Sequence, residues 1–380
     1  MKKKVLALVL CIAMTAVFSV GCGSKSTSDD TSSSDKSTSS EGSYTIGYNN
    51  FGVGAYPLDL NQKETEYAIE SVGSKTKVEN DNFTVDNVIT DVKNLISAKV
   101  DGVVVWCAAD TLYPSLNTLM ESSKMPFALG DKYPTSSKTE AALQANKYFA
   151  GAVSTDDVLT GKNIADRAWK DGHKTALIVA AAVGDTNHDA RVKGFTEEFT
   201  KLGGKVLGTV HCADPSEAVQ KSGDLMAAHP DADCLYGSGG DYSTGALSAM
   251  ESNGMSIPVY GTDVDPNVIK AIKNGKISAA NGAAGTYCGS FAAMLLINYL
   301  DGHPILDENG KAPMTKGVQT IMITKDNVDN FQKYWIDNEI FTQDEFKNLL
   351  YRNNKDVTWK DYQDMIDNYN YETRIASKTK

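Results

Sequence analysis

The sequence is poor in the residues from which metal centres and disulfide scaffolds are built. Its 380 residues contain only five histidines and six cysteines. Four of the cysteines, Cys107, Cys212, Cys234 and Cys288, are scattered along the chain without the close pairs of a zinc site. They are also too sparse for a small disulfide-built fold. We expect buried free thiols, with one or two disulfides outside the cytoplasm as the alternative.

Sequence motifs of the common enzyme classes are also missing. The chain has no G-x-S-x-G elbow, Walker loop, H-E-x-x-H or C-x-x-C. His188 lies between two aspartates, but a lone histidine in a ligand loop more often donates a hydrogen bond than acts as a catalyst. Asp263, Asp265 and Asn267 have the spacing that opens a calcium loop, without its later Gly and Glu. We therefore predict no enzyme, no metal site and no cofactor.

Basic residues are outnumbered by acidic ones. The chain has 37 Lys and Arg against 48 Asp and Glu. The first 21 residues hold three lysines and no acid, so a chain without them would carry a net charge of about −14. This balance argues against nucleic acid as a partner and against peripheral binding to anionic lipid.

The N-terminal segment has the pattern of an export signal. Three lysines at 2–4 precede an apolar run, Val5–Phe18, which is too short to span a bilayer. The small residues Ser19–Gly21 then lead to Cys22, an arrangement that resembles the lipobox of bacterial lipoproteins. We predict a signal peptide over 1–21 and lipidation of Cys22, with a plain secreted protein as the alternative.

A polar segment follows the predicted anchor. Residues 23–43 are almost all Ser, Thr, Asp, Lys and Gly, and cannot bury enough apolar surface to offset the entropy cost of ordering. We predict that 22–43 form a disordered tether with a mean reach of roughly 25 Å. The globular part then begins near Tyr44.

The globular part alternates β-rich runs with helical patterns. Gly102–Trp106 is a continuous apolar run, typical of a strand covered on both faces of a parallel sheet. Before it, Val88, Val92 and Leu95 recur with the spacing of an amphipathic helix. Repetition of this cycle predicts an α/β fold with doubly wound parallel sheets, whose ligand lies at the carboxyl ends of the strands.

From Tyr44 to about Asn327 the order of elements resembles the type I periplasmic binding proteins, particularly the ribose- and galactose-binding branch that serves ABC transporters. No single motif is decisive, but six occur in the right order. The segments that carry the resemblance are NVITDVKNLISAKVDGVVV (87–105), FAGAVSTDDVLTGKNIA (149–165), NHDARVKGF (187–195), AHPDADCLYGSGGDYSTGAL (228–247), YGTDVDPNVIKAIKNGK (260–276) and ITKDNV (323–328).

The resemblance implies two similar lobes joined by three crossovers, with the ligand between them. It places residues 44–153 and 283–312 in the first lobe and residues 154–282 and 313–327 in the second. Residues 328–380 exceed what the family needs. Their aromatic and aliphatic residues predict two or three amphipathic helices packed on the body, with a docking surface for a membrane partner as the alternative.

The charged ligand-binding candidates come from the family's motifs. Arg191 matches an arginine that grips ligand oxygens, and Asp263 and Asp131 match aspartates at strand ends that accept from sugar hydroxyls. Lys132 stands where relatives often carry Arg. Asn187 and His188 belong to the same motif as Arg191, and Asp241 to a weaker one. By themselves, helix capping or a solvated turn would explain several of these residues.

Aromatic rings would cover the weakly apolar face of a sugar. Phe51 and Tyr56 lie in the loop after the first strand, where the resemblance places rings against the ligand. Trp106 closes an apolar strand and could equally belong to the core. Further candidates are Tyr113, Tyr133 and Tyr242.

Two departures from the family pattern bear on the ligand. Gly240 stands before Asp241 where ribose binders show Asn, and Ala283 stands where they show a ligand-binding Gln, with Asn281 two residues earlier. Two lost amides would remove hydrogen bonds of about 0.5–1.5 kcal/mol each. The resemblance therefore favours a sugar or sugar-like ligand other than ribose held in the usual manner.

We predict a monomeric, extracytoplasmic solute receptor, held at the membrane of a Gram-positive cell only by its lipid anchor. It would bind a sugar between its lobes and deliver it to an ABC permease. The alternative is a sensory lipoprotein that presents the same binding event to a membrane kinase or chemoreceptor.

Overall fold

The computed structural model describes residues 42–378. The predicted signal peptide, Cys22 and nearly all of the predicted tether lie outside these residues. Within 42–378, no helix combines the length and the apolar character needed to cross a membrane.

The first of two six-stranded sheets is entirely parallel. Its strand order is β11-β5-β4-β3-β1-β2. The valines of its third strand are fully buried, as the apolar run predicts. The strands are β1 (Thr45–Asn50), β2 (Lys75–Asn80), β3 (Gly102–Val105), β4 (Phe127–Gly130), β5 (Phe149–Thr155) and β11 (Met314–Val318).

The second sheet repeats this arrangement in the order β12-β10-β9-β8-β6-β7. Five of its strands are parallel, and the short edge strand β12 runs antiparallel to β10. The strands are β6 (Thr175–Ala181), β7 (Lys205–Cys212), β8 (Cys234–Gly237), β9 (Val259–Thr262), β10 (Ile277–Gly282) and β12 (Ile321–Ile323).

Helices cover both faces of each sheet, and each sheet with its helices is called a lobe here. The first-lobe helices are α1 (Tyr56–Ser71), α2 (Asn87–Ser97), α3 (Tyr113–Ser123), α4 (Ser137–Ala145) and α10 (Cys288–Leu300). The second-lobe helices are α5 (Asp157–Lys170), α6 (Thr186–Lys201), α7 (Ala218–Ala228), α8 (Gly240–Asn253) and α9 (Pro266–Lys273). The predicted helix before β3 is α2, whose Val88, Val92 and Leu95 are buried.

The chain passes between the sheets three times: from β5 to α5, from β10 to α10, and from β11 to β12. The predicted fold of two doubly wound lobes joined by three crossovers is therefore confirmed. The predicted boundary at 313 needs a correction, because residues 314–318 pair with β5 in the first sheet. Residues 321–323, which form β12, belong to the second sheet.

Residues after the last sheet strand form the C-terminal extension. Its helices are α11 (Val328–Phe331), α12 (Gln343–Asn348), α13 (Trp359–Asp367) and α14 (Tyr371–Arg374). A turn of π-helix, Gln332–Ile336, follows α11. The rings of Phe331, Trp335, Phe341 and Tyr362 are fully buried, so this part of the extension belongs to the core. The four cysteines of the globular part are free and buried, as expected.

Candidate ligand-binding cleft

Loops at the carboxyl ends of both sheets enclose a cavity of about 260 Å³. This is the edge of the sheets at which open α/β folds bind ligands. The residues from the first lobe that line it include Phe51, Pro57, Phe83, Trp106, Asp131 and Lys132. Those from the second lobe include Asp185, Asn187, His188, Arg191, Asp241, Tyr242 and Asp263.

A larger depression, of about 480 Å³, lies on the outer surface of the second lobe between α7, α8 and α9. It is lined by that lobe alone and contains no buried charged side chain. The smaller interlobe cavity holds buried Arg191, Asp131 and Lys132, and charged groups are rarely buried without a function or a partner. We therefore place the candidate site in the interlobe cleft.

Arg191 is held rigidly on the second-lobe side. Its Nε donates to Asp157 Oδ1 at 2.7 Å, and its Nη1 donates to Asp263 Oδ2 and to Ser238 O at 3.0 Å each. Burial raises the pKa of Asp157 to about 6, although Arg191 opposes the shift. Within residues 42–378, Nη2 of Arg191 makes no hydrogen bond, so the side chain retains donor capacity toward the cleft.

Close helix packing brings Arg191 to Asp157. A Cβ atom on Gly161 of α5 would collide with the Arg191 carbonyl, and one on Gly194 of α6 would collide with the Val158 carbonyl. Only glycine at both positions lets the two helix backbones approach this closely. The contact places the Asp157 carboxylate directly beside the guanidinium.

Asp131 and Asp263 directly follow β4 and β9 in left-handed backbone conformations, with φ of +69° and +65°. Each backbone N–H donates to the adjacent strand, Asp131 to Val153 O and Asp263 to Asn281 O. Trp106 Nε1 donates to Asp131 Oδ2 at 3.1 Å, so a donor also orients this carboxylate. Burial raises the pKa of Asp263, and Arg191 opposes that shift. Two oriented carboxylates thus approach the cleft from opposite lobes.

Aromatic rings form the first-lobe wall of the cleft. Phe51 stacks on Trp106 with ring centroids 4.9 Å apart and planes inclined by 20°. Lys132 Nζ lies 4.2 Å from the centroid of the Trp106 ring. Asn49 clamps the Trp106 backbone, since its Oδ1 accepts from Trp106 N and its Nδ2 donates to Trp106 O. This wall offers a flat apolar face with a cation beside it.

His188 is a neutral hydrogen-bonding group of the second-lobe wall. Its Nδ1 lies 2.7 Å from Ser238 Oγ, and its ring packs edge to face on Tyr242. Burial and the nearby Arg191 lower its pKa to about 3. Asp185 caps α6 by accepting from the backbone N–H of Asn187 and His188. Burial would raise the pKa of Asp185, but the charge of Lys132 and the hydrogen bond from the His188 backbone N–H outweigh it and lower the pKa to about 2.

The structure brings together nine of the eleven predicted ligand-binding residues. Asn187 lies at the start of α6, and Asp241 is exposed at the rim on α8. Tyr56 and Asn281 do not line the cavity. Tyr56 has a buried hydroxyl without a partner in residues 42–378. Asn281 is fully buried behind the cleft, where its Nδ2 donates to Thr160 O of α5.

Among the lining residues that were not predicted as ligand contacts are Phe83 and Asp185. Phe83 follows β2 with φ of +56° and packs edge to face on Phe51. It is a single aromatic residue in a polar loop, so only its position after a strand could have identified it. Asp185 combines the cap of α6 with a place in the cleft wall.

Comparison with known proteins agrees with this architecture. Residues 59–304 match the family described as periplasmic binding protein domain. The ribose import binding protein of Salmonella typhimurium is 27% identical over 131 residues, which cover 33% of this chain and 44% of that protein. The chain thus matches less than half the length of that relative.

Two further similarities extend over more of the chain. The D-galactose/methyl-galactoside binding periplasmic protein of Haemophilus influenzae is 21% identical over 250 residues, covering 60% of this chain and 75% of that protein. The crystal structure of a galactofuranose binding protein superposes with a TM-score of 0.67 at 17% identity, covering 77% of this chain and 99% of that one. At this identity the structural likeness shows the fold alone.

Proposed function

Because the chain belongs to the periplasmic binding protein family, we propose that it is an extracytoplasmic receptor that binds a sugar or sugar-like molecule between its lobes and delivers it to an ABC permease. Related proteins carry names such as ribose import binding protein. No catalytic step is part of the proposal.

The observation that carries the proposal is that Asp131 and Asp263 line the same cleft from opposite lobes, together with Arg191. Vicinal hydroxyls donate well to carboxylates and accept from a guanidinium, and such charged hydrogen bonds contribute about 1.5–3 kcal/mol each. The stacked Phe51 and Trp106 offer the apolar surface that a sugar ring face needs. A ligand that bridges both lobes stabilises the closed arrangement, because it gains contacts that the open one lacks.

The size of the cavity favours a small ligand. About 260 Å³ lies just below the range of roughly 300–1,000 Å³ usual for drug-sized molecules, which favours one sugar ring over a longer saccharide. Ala284 of the β10–α10 crossover lines this cavity, but neither it nor the neighbouring Ala283 carries a polar side chain. We therefore propose that the ligand is a monosaccharide or cyclitol, and that it is not ribose held through the two amide side chains that ribose binders use.

The proposed location of the protein outside the cytoplasm is based on its N-terminal sequence. Lysines 2–4, the apolar run and Cys22 support export and lipid anchoring in a Gram-positive cell. The receptor would act as a monomer on a polar tether, and its surface would meet the permease.

Thermal unfolding of the globular part, 44–380, against pentoses, hexoses, inositols, disaccharides and nucleosides tests the proposal. A ligand present at one hundred times its dissociation constant adds about 2.7 kcal/mol, which is several degrees in melting temperature. We expect a monosaccharide or inositol to give such a shift and disaccharides to give none. A shift with nucleosides alone, or none with any of these compounds, would contradict the proposal.

A further inference from the structure

The C-terminal extension leaves the second lobe and ends on the first. It starts directly after β12, and α11 packs on the second lobe. Lys273 Nζ of α9 lies 2.7 Å from Asp329 Oδ1 and donates to Gln332 Oε1 at 2.7 Å. The ring of Phe331 fills the space that a side chain on Gly282, the last residue of β10, would need. The start of the extension is thus fixed to α9 and β10.

The rest of the extension is fixed to the first lobe. Lys63 of α1 forms an ion pair with Glu339 at 3.1 Å, and Asn298 Nδ2 of α10 donates to Leu349 O at 2.7 Å. Arg352 also pairs with Asp301 at 2.8 Å. Residues 332–342 therefore form a fourth covalent connection between the lobes, in addition to the three crossovers.

The extension touches the β10–α10 crossover, residues 283–287. The Tyr369 hydroxyl donates to Ala283 O at 3.1 Å, and Ile340 N donates to the Tyr287 hydroxyl at 3.2 Å. The Tyr287 ring packs edge to face on Phe341 and Tyr369, with centroids 4.8 and 5.8 Å apart. Tyr369 and Tyr287 are almost completely buried, so water does not compete for these bonds.

The opposite side of the same crossover faces the ligand cleft. Ala284 lines the cavity, and a Cβ on Gly285 would overlap the Asp131 carboxylate. Ala283 adopts φ of +64°, a left-handed conformation that a non-glycine residue keeps only when its surroundings hold it. The extension supplies one of those holding contacts through Tyr369, although Tyr369 does not line the cavity.

We propose that the extension is a fourth interlobe connection that sets ligand affinity, and that Tyr369 is its positioning residue. Tyr369 holds the 283–287 crossover in the conformation that packs Gly285 against Asp131 and presents Ala284 to the cleft. The expected effect on ligand affinity rests on the proposed function, but the contact between Tyr369 and Ala283 can be tested without ligand.

The test compares Tyr369→Phe with Tyr362→Phe in the globular protein. Tyr362 is a matched control, because it is equally buried and its hydroxyl bonds outside 283–287: it donates to Leu349 O at 3.0 Å and accepts from Asn298 Nδ2 of α10 at 3.0 Å. Hydrogen exchange is followed in peptides that cover 283–287 without ligand. Ligand association and dissociation rates are then measured with the sugar that shifts the wild-type melting temperature most.

We expect Tyr369→Phe to speed exchange in 283–287 and to weaken binding by about two- to tenfold, mainly through faster dissociation. Tyr362→Phe should change neither the exchange in 283–287 nor the ligand affinity, even if it lowers the melting temperature as much as Tyr369→Phe does. Unchanged exchange in Tyr369→Phe would overturn the proposal, as would faster exchange with unchanged affinity. If no sugar binds the wild type, the proposed function fails, while the exchange result still decides whether Tyr369 holds the crossover.

A second pair of variants covers the case in which Tyr369→Phe does not fold. Lys273→Gln removes the link between α9 and α11, and Lys276→Gln removes a neighbouring surface pair with Glu251 inside the second lobe. Only Lys273→Gln should speed exchange over 328–342 and weaken binding. Equal exchange over 328–342 and equal affinity in the two variants would overturn the proposed role of the connection.

Discussion

Asp131 and Asp263 occupy equivalent positions in the two lobes. Each follows the fourth strand of its lobe in chain order, and each adopts a left-handed backbone conformation. The first accepts from Trp106 Nε1 and the second from Arg191 Nη1, so each carboxylate is oriented before any ligand arrives. Preorganised groups lose little entropy on binding, which is what a receptor that discriminates between similar hydroxylated ligands requires.

Replacing Arg191 by alanine should reduce both stability and binding. The change leaves Asp157 and Asp263 buried without a counter-charge, and breaking a buried pair in this way costs about 3–5 kcal/mol. Urea unfolding would measure the loss. Arg167→Ala is the control, since its ion pair with Asp171 lies at the surface, where such pairs contribute about 0–1 kcal/mol. Similar losses in the two variants would contradict a structural role for the Arg191 ion pairs.

Replacing Trp106 by phenylalanine should weaken ligand binding while retaining the stack on Phe51. The variant lacks the Nε1 donor that orients Asp131, and one such bond corresponds to about a two- to tenfold change in affinity. Isothermal titration with the sugar bound by the wild type would measure it. Trp169→Phe, at a ring packed on Phe199 outside the cleft, should bind as the wild type does. An unchanged affinity in Trp106→Phe would show that the indole N–H is dispensable.

Buried elements and strand-end residues could be predicted from the sequence, but contacts between distant segments could not. The apolar run of β3 and the periodicity of α2 identified their elements because burial on one or both faces fixes the residue pattern. Asp131, Asp263 and Arg191 were predicted because strand-end positions and family motifs coincide there. The contact between Tyr369 and Ala283 could not be predicted, since it joins residues 86 positions apart without any repeating pattern.

The errors at the edges of the lobes have a similar cause. Residues 314–318 include a glycine and only two apolar residues, and nothing in their pattern says which sheet edge they join. Asn281 was predicted to face the ligand from its place in the sequence. Its side chain points to α5, so burial by a neighbouring helix decided its environment.

Glycine at 285 should be required for binding. Gly285 and Gly275 share φ of +71°, so alanine at either position costs about 1–2 kcal/mol of backbone strain. A Cβ at 275 meets open space, whereas one at 285 overlaps the Asp131 carboxylate. We therefore expect Gly285→Ala alone to weaken sugar binding, by at least about tenfold, as measured by calorimetry. Equal affinities in the two variants would contradict the packing of Gly285 on Asp131.

The protein should lose stability as pH rises, because Glu64 of α1 is a buried carboxyl group. Burial, together with a hydrogen bond to Glu339, raises the pKa of Glu64 from 4.5 to about 7. A carboxyl with a raised pKa contributes stability that is present below about pH 4.5 and is lost as pH rises through about 7. Glu64→Gln keeps a neutral side chain at every pH. The free energy of unfolding of the wild type, relative to this variant, should therefore fall by about 1–3 kcal/mol between pH 5 and pH 8.

Urea unfolding at a series of pH values would check this prediction. Glu70→Gln, an exposed change on the same helix, should leave the wild-type pH dependence unaltered. Parallel curves for the wild type and Glu64→Gln would contradict the assignment.

The most direct test of the account is calorimetric titration of the wild type, Asp131→Asn and Asp263→Asn with the sugar that gives the largest thermal shift. Asp224→Asn, an exposed change on α7, is the control. If the two carboxylates close on one ligand from opposite lobes, each cleft variant should lose about 1.5–3 kcal/mol, or roughly tenfold or more in affinity, while the control binds as the wild type does. Wild-type affinity in both cleft variants would contradict the account.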